Sequence, residues 1–459
     1  DCLEANTTAS NNTGLGYKAL SLNTTGAQNT AVGRVALDAN TTGDGNVAIG
    51  NQALGSNTTA DNNTAVGNAA LINNTTGTNN VAVGSNALDA STTAANNTAA
   101  GVHALSANTT GASNVAVGKD ALLSNTTGSN NTALGADSLE DNTTGAENVA
   151  IGRYSLFNNT TADSNTAVGF QSAFANTTGT SNVAVGTDAL GANTTGAENT
   201  AVGKGALDAN TTAYYNTAVG HAALTSSTTG EKNTGIGDRA LVQSTTGSNN
   251  VAVGRNALVS NTTASNNTAV GTDALLANTT GTSNTAMGKE AGIAVTTGSS
   301  NTLVGREAGH NLTTGDNNLL LGKRAGTSSS PSGTMDNENN IICLGDNSIV
   351  TAHVKVDWTV GSDQRDKTDI QDITTGLDFV NQLKPKSFWF AKERGSDEKH
   401  GDKKYGFLAQ DILALEGSDP VIINNKDEDS LKYQGSHLIP ILTKAIQELS
   451  AKVTALEAG

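Results

Sequence analysis

The sequence predicts a mainly β chain in two parts: a β-solenoid rod of stacked 17-residue rungs, then a small α+β domain ending in a helix. Three observations predict it. Nineteen consecutive copies of one 17-residue unit begin at Asn12, Asn29, Asn46, Asn63 and so on to Asn318. Every copy opens on Asn and carries Gly four residues later, from Gly16 to Gly322, and so strict a period implies one rung stacked on the next. At Ser362 the composition changes, and Lys, Asp, Glu and large apolar residues replace the repeat.

The unit reads Asn-(Thr/Val)-Ala-Val-Gly-x-x-Ala-Leu-x-x-Asn-Thr-Thr-Gly-x-x, as in the copy from Asn114 to Gly128. Continuous helix is excluded by the recurring Gly, each costing about 1 kcal/mol relative to Ala in a helix. Two short strands per turn of a β-solenoid are expected instead, with Gly permitting a positive φ at the corner. The Asn at position one recurs in register, so its amides should stack as a hydrogen-bonded ladder along the rod. The Thr pair (Thr24 and Thr25 in the first copy) favours an extended edge and can bond neighbouring rungs. Positions six and seven vary freely, as in Tyr17-Lys18 and Lys119-Asp120, and should face solvent.

The last copies depart from the pattern. Position nine becomes Gly at Gly292, Gly309 and Gly326, and the polar run from Thr327 to Gly333 reads as a tapering cap and linker. A further rung-like strand, Asn340 to Gly345, precedes an expected β-rich neck, Ile349 to Val360. The expected organisation is a rod over 1–326, a linker and β neck over 327–361, and a separate domain over 362–459. The chain also enters mid-unit, Cys2-Leu3 and Thr7-Thr8 occupying the back half of an earlier copy.

Composition narrows the function. Aromatics are 3% of the chain, so each rung buries small side chains and gains little apolar area alone, which favours self-association. The formal charge is −16, of which residues 362–459 carry −4 and the first 361 carry −12. That acidity disfavours nucleic acid and anionic membrane as partners. No stretch approaches the ~20 apolar residues of a membrane span, and the first residues do not read as a signal peptide. Cys2 and Cys343 give neither a disulfide framework nor metal-ligand spacing, and no cofactor or metal is expected. The Asn-x-Thr sequons come with the repeat rather than mark glycosylation. No position of the unit is consistently acidic, which removes calcium from the rod.

The Asn-Thr-Ala-Val-Gly-x-x-Ala-Leu run resembles the head repeats of trimeric autotransporter adhesins, which form β-rolls in a three-chain bundle; similar arrays occur in phage tail fibres. The C-terminal region carries a more specific likeness. Ser362-Asp363-Gln364-Arg365-Asp366-Lys367-Thr368-Asp369-Ile370 resembles the opening of the endosialidase-type intramolecular chaperone domain of phage tail spikes and fibres. Leu383-Lys384-Pro385, Phe388-Trp389-Phe390, Gly406 to Asp411, Asp419-Pro420-Val421, Tyr433 and Ala445 to Leu449 follow in that family's order. The resemblance implies a domain that trimerises, guides folding of the upstream fibre and then cuts itself off. Ser362 would attack the carbonyl of Gly361, forming an ester that water opens, with Lys367 as base. A neutral Ser is a poor nucleophile, and Lys367 can serve only uncharged, which burial or a neighbouring cation such as Arg365 would favour. Asp366 and Asp369 depart from the family's usual residues; a carboxylate beside Lys367 would favour its charged form.

Ile439, Leu442, Ile446, Leu449, Val453 and Leu456 recur at spacings of 3 or 4, a seam that fits core packing or a coiled coil. The resemblance selects a homotrimer. The whole reads as a bacteriophage tail fibre or appendage in the virion, with other tail proteins and a host-surface receptor or glycan as partners. A bacterial surface adhesin and a glycan-degrading spike remain as alternatives. Identical rungs can pair out of step at little cost, so a fibre of this kind needs a device that sets register.

Overall fold

The structure, a computed structural model, describes residues 1–355, 362–391, 395–418, 420–425 and 431–459. It divides into two units, Asp1–Leu344 and Gly345–Gly459.

The first unit is a parallel β-solenoid. Each rung supplies one three-residue strand at positions two to four: β1 (Thr13–Leu15), β2 (Thr30–Val32), then one every 17 residues to β19 (Leu319–Leu321), with β20 (Ile342–Leu344) after a longer interval. Pairing is parallel and unshifted, Thr13 opposite Thr30 and Val115 opposite Thr132. The strand stops at the position-five Gly for a physical reason. Gly169 takes φ 138°, and a Cβ there would lie 2.6 Å from the carbonyl oxygen of Gly186 on the next rung. Both the dihedral and the close approach exclude a side chain.

The second strand expected in each rung does not form. Ala and Leu at positions eight and nine lie in turns, because positions seven and nine take left-handed backbone, φ 58° at Lys18 and 53° at Leu20. Left-handed backbone costs a Leu roughly 1–2 kcal/mol. Full burial of that Leu side chain, worth roughly 1.5–3 kcal/mol, offsets it.

Two columns of Asn run through the interior. At position one, Asn131 donates its backbone N–H to Asn114 Oδ1 (2.9 Å) and its Nδ2 to Gly145 O (2.8 Å). At position twelve, Asn142 Nδ2 donates to Asn125 Oδ1 (2.9 Å) and to the same Gly145 O (2.9 Å). The first ladder is the one expected from the repeat; the second was hidden in the sequon. Its Asn residues are fully buried, so the folded rod offers no position-twelve amide for glycosylation. Of the Thr pair, Thr126 donates Oγ1 to Thr143 O (3.0 Å) on the next rung, and Thr127 is exposed; both lie in a bend rather than an extended edge.

The final rungs do not loosen; they repack. Gly292 leaves room filled by Leu303, whose Cδ1 would lie 2.6 Å from a Cβ on Gly292, and Leu320 stands in the same relation to Gly326 at 2.7 Å. Leu303 and Leu320 occupy position three, where Ala is usual, so bulk moves from one wall of the core to the other. The segment from Thr327 to Gly333 is folded into this end, with Thr327 and Ser330 buried and Ser330 Oγ donating to Thr327 O (2.9 Å). Of the expected β neck, residues 349–355 form no strand, because a strand needs a ladder partner and no described segment pairs with them. Residues 356–361 lie outside the described part.

The second unit is α+β. It comprises α1 (Leu377–Val380), an antiparallel hairpin of β21 (Lys386–Ala391) and β22 (Lys399–Gly406), α2 (Ala409–Glu416), the short pair β23 (Ile423–Asn424) and β24 (Lys432–Tyr433), and α3 (Leu438–Ala458). Ile412, Ile422, Ile423, Leu438 and Ile441 form its core, with Phe379, Leu383 and Phe407 packed against them. Among the described residues, no helix is long and apolar enough to cross a membrane, and no group of three or more His, Cys, Asp or Glu could hold a metal.

Candidate functional site

Ser362 and Lys367 flank a single 3-10 turn, Gln364–Asp366. Asp363 starts it: its carboxylate accepts from Arg365 N (2.9 Å), a side-chain cap that holds the first turn. Lys367 ends it, donating its backbone N–H to Gln364 O (3.2 Å). The turn reverses the chain over five residues, so the Lys367 side chain comes back onto Ser362. Lys367 Nζ lies 2.7 Å from Ser362 Oγ and 3.3 Å from Ser362 O. The first distance is that of a nucleophile and its base in contact. Gly361, which carries the carbonyl to be attacked, lies outside the described residues.

Arg365 does not play the part foreseen for it. Its guanidinium pairs with Asp363, with Nε at 3.1 Å from both carboxylate oxygens and Nη2 at 2.5 Å from Oδ2. The side-chain bond to Arg365 holds the Asp363 carboxyl below its ordinary value, and the same bond holds the Arg365 guanidinium above its own. The cation is already neutralised locally by that carboxylate. Asp366 and Asp369 do not hold Lys367 either: Asp369 Oδ1 accepts from Gln371 Nε2 (2.9 Å), and neither carboxylate is ion-paired to the lysine. All nine residues from Ser362 to Ile370 are exposed. A lysine gives up its charge readily only where water is excluded, and the single chain does not exclude it.

Two carboxylates that the sequence did not single out hold the rest of this unit. Glu416, at the end of α2, accepts from the backbone N–H groups of Val421 (2.7 Å), Ile422 (2.5 Å) and Ile423 (3.0 Å). Glu448 on α3 accepts from Leu377 N (2.8 Å) at the start of α1, which no residue of α1 itself caps. The only sequence signal for either was an acidic residue within an otherwise apolar stretch. On α3, Leu438, Ile441 and Ala445 face the core, whereas all six seam residues are exposed, Ile446 by 67% and Leu456 by 81%.

No curated protein and no solved structure matches this chain. Residues 362–417, within the second unit and running from the candidate nucleophile to the residue after α2, match the family model described as chaperone of endosialidase.

Proposed function

We propose that this chain is a homotrimeric fibre of the phage-tail type, whose C-terminal domain brings three copies into register and then releases itself by cutting between Gly361 and Ser362. The observation that carries the cutting is the 2.7 Å contact of Ser362 Oγ with Lys367 Nζ at the first residue of the matched domain. In the reaction, Oγ adds to the Gly361 carbonyl carbon while Lys367 takes its proton. The Gly361–Ser362 C–N bond breaks, and the proton passes to the departing amine of Ser362. Water then opens the ester, leaving a carboxylate on Gly361 and restoring the hydroxyl. An uncharged lysine needs cover that the single chain lacks, so cleavage follows assembly.

Association is supported on both units. The last residue of the strand, position four of the unit, is aliphatic in all twenty strands, including Leu15, Val83, Leu134, Met287 and Leu344, and none of these side chains is buried. Position two is Thr or aliphatic throughout. An uncharged sheet face of this length is what a second and third copy with the same 17-residue period would cover, since contiguous exposed apolar surface marks an interaction site. The seam of α3 is a second such surface. Attachment to a host receptor and residence in the virion complete the reading.

Mass spectrometry of the purified protein tests it. A fragment ending at Gly361 is expected, and it should vanish in Ser362→Ala. An intact wild-type chain under every folding condition overturns self-cleavage.

A further inference from the structure

The rod is nearly free of aromatic side chains, yet four of them meet on two adjacent rungs. Phe157 and Phe174, both at position ten, stack with centroids 5.3 Å apart and planes 15° apart, and Tyr154 meets them edge-on at 5.6 and 6.3 Å, with Phe170 beside it at 6.2 Å. The next residue of the position-ten column is Gly191, and the one after that is Asp208. One face of Phe174 is therefore covered by Phe157; beyond the other, Gly191 supplies no side chain and the Asp208 carboxylate leans in, its Oδ1 2.6 Å from where a Cβ on Gly191 would lie. A cleft of about 200 Å³ opens there, lined by Gln171, Phe174, Asp188, Gly191, Ala192 and Asp208.

Asp188 differs from the other carboxylates at its position of the unit. Elsewhere, a carboxylate at position seven has a cation beside it: Asp120 has Lys119 and His103, Asp137 has Arg153 at 3.5 Å, Asp273 has Arg255 at 3.5 Å, Glu290 has Lys289 at 3.0 Å, and Glu307 has Arg306 at 3.1 Å. Asp188 is also at position seven and, among the described residues, neither it nor Asp208 beside it in the cleft has a cation in ion-pair contact. Burial, and then the charge of Asp188, push the Asp208 carboxyl above its ordinary value. Two carboxylates lining one open cleft call for a positive group. A bare aromatic face calls for one that is flat and weakly hydrated.

We propose that the cleft between Phe174 and Asp208 binds a guanidinium group, the arginine side chain of a partner protein. The guanidinium plane stacks on the free face of Phe174, and its N–H fork donates to Asp208 and Asp188. An ammonium is strongly hydrated and cannot stack, and a neutral saccharide leaves the two carboxylates uncompensated. This site belongs to the rod alone and does not depend on cleavage.

The test is saturation-transfer NMR on the full chain with N-acetyl-arginine methylamide as probe, beside the matching lysine amide and methyl glucoside. Binding with a Kd on the order of 1 mM is expected for the arginine probe, with transfer strongest at its δ-methylene. Asp208→Asn and Phe174→Ala should each weaken it at least tenfold. Gly191→Leu, at a backbone outside the left-handed region, should displace the Asp208 carboxylate, fill the cleft and abolish binding with the rod's thermal transition retained. Equal transfer in wild type and Gly191→Leu overturns the proposal. So does tighter binding of the lysine amide or the glucoside, or no signal at about ten times the expected Kd.

Discussion

Replacing Asn142 by Ala removes one rung of the position-twelve ladder at its middle. Three hydrogen bonds go: Nδ2 to Asn125 Oδ1 (2.9 Å), Nδ2 to Gly145 O (2.9 Å), and the one Asn142 Oδ1 accepts from Asn159 Nδ2 (2.9 Å). Asn159 keeps its bond to Ala162 O (3.1 Å), and Gly145 O keeps Asn131 Nδ2 (2.8 Å), so the stranded group is Asn125 Oδ1. At about 1 kcal/mol per bond the cost is about 3 kcal/mol, near a hundredfold in a local opening equilibrium. Rungs in a solenoid contact only their neighbours, so a global melting point would dilute the effect. Amide hydrogen exchange on the full chain reads it directly: protection of the rungs from Asn125 to Asn159 should fall about a hundredfold, with distant rungs unchanged. Exchange within threefold of wild type in those rungs would show that the buried amide column does not hold the stack.

The reverse change should stabilise. Ser91 interrupts the same column, leaving Asn74 Oδ1 and Ser91 Oγ buried without partners, so Ser91→Asn should restore a bond worth about 1 kcal/mol and slow exchange at Asn74. A second prediction concerns pH. Because the Asp208 carboxyl is raised in the folded rod, chiefly by burial, the folded state is favoured when Asp208 is protonated and loses that advantage as pH rises through its titration. Asp208→Asn should therefore melt higher than wild type at neutral pH, and the difference should shrink as pH falls from neutrality toward about 4, the usual carboxylate range. Identical melting curves across that window would remove the linkage.

What the sequence made legible, and what it did not, follows from how each feature is encoded. Position-one Asn and position-five Gly recur without exception because each is fixed by a neighbour one rung away, so periodicity alone exposed the stack. The corners were not legible. Leu20 and its counterparts take left-handed backbone that no propensity assigns to Leu, and burial in the stack overrides the local preference. The position-twelve Asn carried two meanings in sequence, sequon and ladder, and only burial separates them. Gly292 and Gly326 looked like decay of the repeat because the compensating Leu303 and Leu320 lie eleven residues away in one case and six in the other, at a different position of the unit. At the candidate site, the Ser362 and Lys367 contact was legible from the likeness of the motif. The pairing of Arg365 with Asp363 was not, since a charge two residues off can turn either way.

Light scattering on the Ser362→Ala chain, kept whole by the substitution, tests association most directly. Three copies predict a mass near three times the 46.2 kDa of one chain. A mass of 46.2 kDa at every concentration would mean that the aliphatic strand face and the α3 seam stay bare, and the assembly reading would fail.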